Sequence, residues 1–316
     1  MKPLTIALLL MVVVAGCNRP DAPPQGSAPG GKGASLVDAR KGFQTKIVRR
    51  DSDKDPAPQP PRKLFQLVRY DSPAGNLAAY LTPDPGDGKE HPAIIWITGG
   101  DCNSIDAGCW KEGPPSNDQS ASAFRKAGMV MMFPALRGGN DNPGIKEGFL
   151  GEVDDVLAAA EFLAQQKYVN AGRIYLGGHS TGGTLVLLVA ECSDRFRAVF
   201  SFGPVDDVSG YGPEYLPFDT SNPREVQLRS PGRWLASIKS PTFVFEGTVE
   251  SNIGSLRTMS RASSNPQIHF VPVRGANHFN LLAPTTRLIA DKILRDDGLA
   301  SKLTFTEDEV TKVVGQ

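Results

Sequence analysis

Gly178-His179-Ser180-Thr181-Gly182 sets a serine two residues from a glycine on either side. This G-x-S-x-G spacing suits a sharp strand-to-helix turn that pushes a hydroxyl into the open. A chain rich in Gly and Ser can produce the pattern by accident, so its context carries the argument. Ile174-Tyr175-Leu176 before it reads as a buried strand, and Thr184-Leu185-Val186-Leu187-Leu188 after it opens an apolar helix. Larger side chains at 178 and 182 would clash with that strand and helix, and Gly183 adds room. A helix N-terminus beside Ser180 favours developing negative charge. The expected chemistry is nucleophilic attack by Ser180.

A serine hydroxyl is a weak nucleophile and needs a general base within reach. The chain has four histidines. His91 precedes a strand, on the wrong edge of a parallel sheet. His179 lies inside the turn, directed away from the serine. His269 falls within a strand pattern. His278 follows that strand, at the carboxyl edge where ligands gather, and is the expected base. The acid should lie between serine and histidine in chain order. Glu250, in a loop past Gly247, is the first choice and Asp206 the alternative, while Glu246 stands too close to its strand. Its task would be to fix the imidazole tautomer and stabilise the imidazolium. Oxyanion donors are expected from the Thr181 N–H and from the loop Thr98-Gly99-Gly100-Asp101, through Gly100 or Asp101.

The positioning elements follow from periodicity. Strands are expected near 65–70 and 76–81 as a hairpin, then 93–97, 129–134, 173–176, 198–202, 242–245 and 268–273. Helices are expected over 120–127, 152–166, 184–191 and 281–294. This alternation predicts an α/β fold, a mostly parallel eight-stranded sheet with helices on both faces. The Gly-, Pro- and aromatic-rich stretch 207–237 reads either as a small lid or pocket insertion or as a long surface loop. Trp110, Tyr211, Tyr215, Phe218 and Trp234 could line an acyl pocket or simply pack the core.

Together these residues resemble the catalytic domain of prolyl-oligopeptidase-like and dienelactone-hydrolase-like α/β hydrolases. The markers are Gly178-His179-Ser180-Thr181-Gly182-Gly183, the Arg137-Gly138-Gly139 turn, Gly151-Glu152-Val153-Asp154-Asp155-Val156 and the Ala276-Asn277-His278-Phe279 corner. The resemblance runs from about residue 65 to 296. It implies the α/β-hydrolase fold, Ser180 as nucleophile, His278 as base and an acid at the position of Glu250. No β-propeller precedes the domain in this sequence, which tilts the expectation from peptides toward esters.

Lysine plus arginine and aspartate plus glutamate each number 34. That balance argues against a nucleic-acid partner. There is no H-E-x-x-H, no paired C-x-x-C and no P-loop, so neither metal nor cofactor is expected. Lys2, the apolar run Leu4–Val14 and Val14-Ala15-Gly16-Cys17 resemble a bacterial lipoprotein signal, with Cys17 lipidated. The run is too short for a spanning helix, which needs ~20 residues. Asn18 after the cysteine points to the outer membrane, on its periplasmic side. The expected boundaries are signal and lipidated cysteine 1–17, disordered tether 18–62, hydrolase domain 63–298 and tail 299–316. Cys102 and Cys109 are expected to form a disulfide in an oxidising envelope, with Cys192 a buried inert thiol. The leading function is cleavage of a small carboxylic ester through an acyl-enzyme. The alternatives are a peptidase on short peptides and an inactive envelope scaffold. Oligomeric state is left open.

Overall fold

The computed structural model describes residues 35–315. Eight strands form one sheet: β1 (Gln66–Ser72), β2 (Gly75–Leu81), β3 (His91–Ile97), β4 (Val130–Pro134), β5 (Val169–His179), β6 (Val199–Phe202), β7 (Thr242–Gly247) and β8 (Ile268–Val273). Their spatial order is β1-β2-β4-β3-β5-β6-β7-β8. β1 and β2 pair antiparallel, β2 meets β4 antiparallel, and every later pairing is parallel. This is the α/β-hydrolase sheet that the hairpin and the later alternation predict.

Among the described residues the α-helices are α1 (Leu36–Arg40), α2 (Ser122–Lys126), α3 (Glu152–Ala164), α4 (Thr181–Cys192), α5 (Pro223–Leu228), α6 (Ile253–Ala262), α7 (Leu282–Leu294) and α8 (Glu307–Val314). β3 is apolar on both faces because both are covered. Ala93, Ile95 and Ile97 join one core with α3, α4 and α6, and Ile94 and Trp96 join the other with α2, α7 and α8. Successive strand side chains point to opposite faces, so these are the two sides of one sheet.

Three expectations change at the edges of the domain. The tether reading does not hold from residue 35 onward, where the chain becomes a strap laid along the domain. Leu36 is fully buried, Arg40 pairs with Asp154 at 2.8 Å, and Ile47 bridges to Phe218. Farther on, Pro58 accepts a hydrogen bond from the Tyr80 hydroxyl. Proline-rich composition lowers the chance of regular structure, yet it leaves a chain free to lie in a preformed groove. The tail reading fails likewise. Thr306 caps α8 by accepting from the Glu309 N–H, and Phe305 and Val310 are buried against the domain. The Cys102–Cys109 disulfide is absent: both thiols are free and buried. Cys102 belongs to one core and Cys109 to the other, so the sheet's rim separates them. Burial pushes the Cys109 thiol up to about 12 and Cys102 higher still. Cys192 is also free and half-buried, and burial raises it to about 11.

The stretch 207–237 is a packed insertion rather than a plain surface loop. Val208, Phe218, Leu228 and Arg229 are buried, and the Arg229 guanidinium lies over the Phe218 ring. The strap holds it from outside through Lys46 N–H and Thr45 Oγ1, both donating to Glu225. The signal and lipidation site at residues 1–17 lie outside the described residues. Among the described residues no helix is long and apolar enough to cross a membrane.

Candidate active site

β5 ends at His179 and α4 begins at Thr181, so Ser180 is the whole turn between them. Its backbone sits at φ 56° and ψ −115°, a region that L-residues avoid. Such strain persists only where the surroundings impose it. Here the Ser180 N–H donates to the Phe202 carbonyl at 2.8 Å, and α4 packs hard against the neighbouring strand ends. A methyl group on Gly182 would stand 2.3 Å from the Ile97 carbonyl oxygen, which is why glycine is required there.

His278 lies in the turn between β8 and α7, and its Nδ1 meets Glu246 Oε2 at 3.0 Å. The Glu246 carboxylate also accepts the Gly247 N–H at 2.8 Å and the Asn252 N–H at 3.0 Å, and it is fully buried. This corrects the choice of acid. Glu250 is exposed, at φ 46°, on the tip of the loop after β7. Asp206 accepts from the Ser255 hydroxyl at 2.6 Å, away from the imidazole. Glu246 reaches His278 from inside its strand because a glutamate is long enough to extend over Gly203. A methyl group on Gly203 would sit 2.4 Å from His278 Cε1 and 2.9 Å from Glu246 Oε2, at φ +60°. The readable signal was a carboxylate directly after the apolar run Thr242-Phe243-Val244-Phe245, since a buried charge needs partners.

Ser180 and His278 are linked through their neighbours. Ser180 is bonded to Phe202, next to the Gly203 that His278 covers. The His179 and His278 rings lie 4.5 Å apart, and His179 Nε2 reaches the His278 carbonyl at 2.9 Å. His179 is buried, and burial, with His278 beside it, lowers its pKa to about 3. It is therefore neutral at ordinary pH. Once the carboxylate holds Nδ1–H of His278, its Nε2 is the free acceptor, the state a general base requires.

On the other side, the Thr181 hydroxyl donates to the Gly100 carbonyl at 2.9 Å, and Gly100 takes φ +77°. The Thr181 N–H opens α4 and has no carbonyl within the helix to bond. Asp101 turns its carboxylate to Lys146 Nζ at 3.0 Å, and Lys146 also meets Asp53 of the strap at 3.3 Å. Burial alone would depress Lys146, but Asp101 and Asp53 outweigh it and hold its pKa above the ordinary value. Thr181, Gly100 and Asp101 thus come together beside Ser180.

Of the five aromatic candidates, Tyr211 lies at the site, its hydroxyl 2.7 Å from Thr184 Oγ1 on the first turn of α4. Trp110 packs on Tyr80, Phe218 and Trp234 are core, and Tyr215 is exposed. Two site residues were missed from sequence. Phe149 stacks on Tyr211 with centroids 5.6 Å apart, at φ 76°. Phe279 is 42% exposed and touches both histidine rings, so it can meet a substrate. Among the described residues no group of three or more His, Cys, Asp or Glu could hold a metal ion.

Known proteins resemble this chain over part of its length. Residues 115–253 match the model of the prolyl oligopeptidase family. Prolyl oligopeptidase A of Amanita bisporigera is 37% identical over 80 residues, covering 23% of this chain and 10% of its own length. The uncharacterized peptidase YtmA of Bacillus subtilis is 26% identical over 165 residues, covering 46% of this chain and 62% of its own. The chain thus spans less than two thirds of the curated relatives it matches. A puromycin-hydrolyzing peptidase of Mycobacterium tuberculosis superposes with TM-score 0.60 at 18% identity, over 78% of this chain and 41% of that one. A prolyl endopeptidase superposes at 0.56 with 21% identity, over 75% and 39%. At such identities the superpositions speak to fold alone. Residues 115–253 are thus similar to the prolyl oligopeptidase family, and the domain has the α/β-hydrolase fold.

Proposed function

We propose that the protein is a serine hydrolase that cleaves short peptides through an acyl-enzyme, with Ser180 as nucleophile, His278 as base and Glu246 as acid. The observation that carries this is the Glu246–His278 hydrogen bond in a turn adjoining the strained serine. Ser180 Oγ attacks the scissile carbonyl as its proton passes to His278 Nε2. The oxyanion forms against the Thr181 N–H and the hole loop at Gly100 or Asp101. His278 returns the proton to the leaving amine, and water repeats the sequence to release the acid. The family match at residues 115–253, which covers both Ser180 and Glu246, favours peptides. Ester cleavage uses the same groups and is the second reading, because an alkoxide leaves with less help from His278 than an amine does.

A fluorophosphonate probe should label the wild-type protein, and Ser180→Ala should abolish both labelling and turnover, a loss of about 10⁴- to 10⁶-fold. A folded wild-type protein that takes no label would remove the proposal and leave the scaffold reading. Aminoacyl and prolyl amides set against p-nitrophenyl esters would separate peptidase from esterase. The sequence ending at Cys17 supports attachment to a bacterial envelope, probed by lipid labelling of wild type against Cys17→Ser in a Gram-negative host.

A further inference from the structure

We propose that His179 is a positioning residue whose two ring nitrogens tie the oxyanion loop to the base-bearing loop. The inference rests on the acyl-transfer reading above. Three contacts form one directed chain, and a fourth branches from it. The Gly99 N–H donates to Gln119 Oε1 at 3.2 Å. The Gln119 amide then donates from Nε2 to His179 Nδ1 at 2.8 Å and to Asn117 Oδ1 at 2.9 Å. His179 Nε2 donates to the backbone carbonyl of His278 at 2.9 Å.

The two ends fix the polarity of everything between. A backbone N–H can only donate and a carbonyl can only accept. Gln119 must therefore turn its oxygen to Gly99 and its nitrogen to His179. His179 must in turn be neutral, with its proton on Nε2. A cationic ring would present an N–H to the Gln119 NH₂ group at 2.8 Å, and its remaining acceptor, Gln119 Oε1 at 3.2 Å, is the oxygen already taken by the Gly99 N–H. Burial supplies the needed neutrality. The ring is also a spacer: a methyl group on Gly99 would lie 2.9 Å from Nδ1, so the hole loop rests directly on the imidazole. One side chain thus sets how far the loop that holds the oxyanion stands from the loop that carries the base. A misplacement of ~1 Å in such a site can cost ~10²-fold in rate.

The test compares His179→Leu, His179→Gln and Gln119→Leu by turnover of a p-nitrophenyl ester and by the rate of fluorophosphonate labelling. His179→Leu should lower kcat about 10- to 100-fold with KM within about threefold. His179→Gln keeps a donor in reach of the His278 carbonyl and should recover about tenfold of that loss. Adding Gln119→Leu to His179→Leu should cost little more, since both cut one chain. In the wild type, nitrogen NMR should find His179 neutral with the proton on Nε2. Should His179→Leu be insoluble, Gln119→Leu, at a half-buried loop position, carries the kinetic arm and should cost several-fold in kcat. A kcat within twofold of wild type for the soluble variants, an equal loss in the Leu and Gln variants, or a proton on Nδ1 overturns the inference. A wild type that takes no fluorophosphonate while its NMR shows the Nε2–H form would instead fault the proposed function and leave the relay standing.

Discussion

The two walls of the site are held by different forces. On the base side, His278 is fixed by the fully buried Glu246 carboxylate and by a buried, uncharged His179. On the hole side, Lys146 bridges Asp53 of the strap and Asp101 of the hole loop, whose carboxylates are 40% and 47% exposed. Low dielectric strengthens the first set, and solvent screens the second. The wall that must move a proton is thus the insulated one, and the wall that offers backbone donors is fastened at the surface.

The sharpest way to break this contrast is to empty the base side of charge. Glu246→Gln should lower kcat about 10³- to 10⁴-fold in a folded protein, as loss of a triad carboxylate does. Glu250→Gln should stay within about twofold, and equal losses at the two positions would return the acid to the loop. Acid gives the next largest effect. The folded protein holds His179 near 3, whereas an unfolded chain protonates histidine near 6.5. Below ~6.5 the unfolded state binds a proton that the folded state refuses. Stability should then fall as pH drops toward 3, by up to about 1.4 kcal/mol per pH unit from this group. His179→Gln should flatten that slope in a urea titration across pH. The smallest effect belongs to the hole side. Lys146→Met should lower kcat a few-fold, and raising salt from low to ~0.5 M should weaken the wild type while leaving the variant nearly unchanged. A salt response equal in the two proteins would mean that the bridge does not hold the loop.

Much of this arrangement was legible from residue order. Apolar runs gave the strands, and the glycines around Ser180 gave the turn, because both are local consequences of sterics. His278 followed by elimination from four histidines. Glu246 was passed over because strand register was judged from spacing, and spacing does not tell how far a glutamate extends past the end of a sheet. Phe149 gave no sign, since its role comes from a stack on Tyr211 across a long stretch of chain. The Cys102–Cys109 pairing failed for the same kind of reason: nearness in sequence does not say which face of a sheet each thiol joins. The strap and α5 were missed because their order comes from docking rather than from their own propensity.

The strap also moves the border of the smallest catalytic unit. Trimming to residue 63 would leave every strand in place, yet it would remove Asp53 from Lys146 and Ser104, and Thr45 from Glu225. A protease nick between 35 and 62 should then cost a few-fold in kcat, made far from the serine and felt as a loosened donor loop. In this molecule the sheet defines the fold, and the girdle outside it steadies one wall of the site.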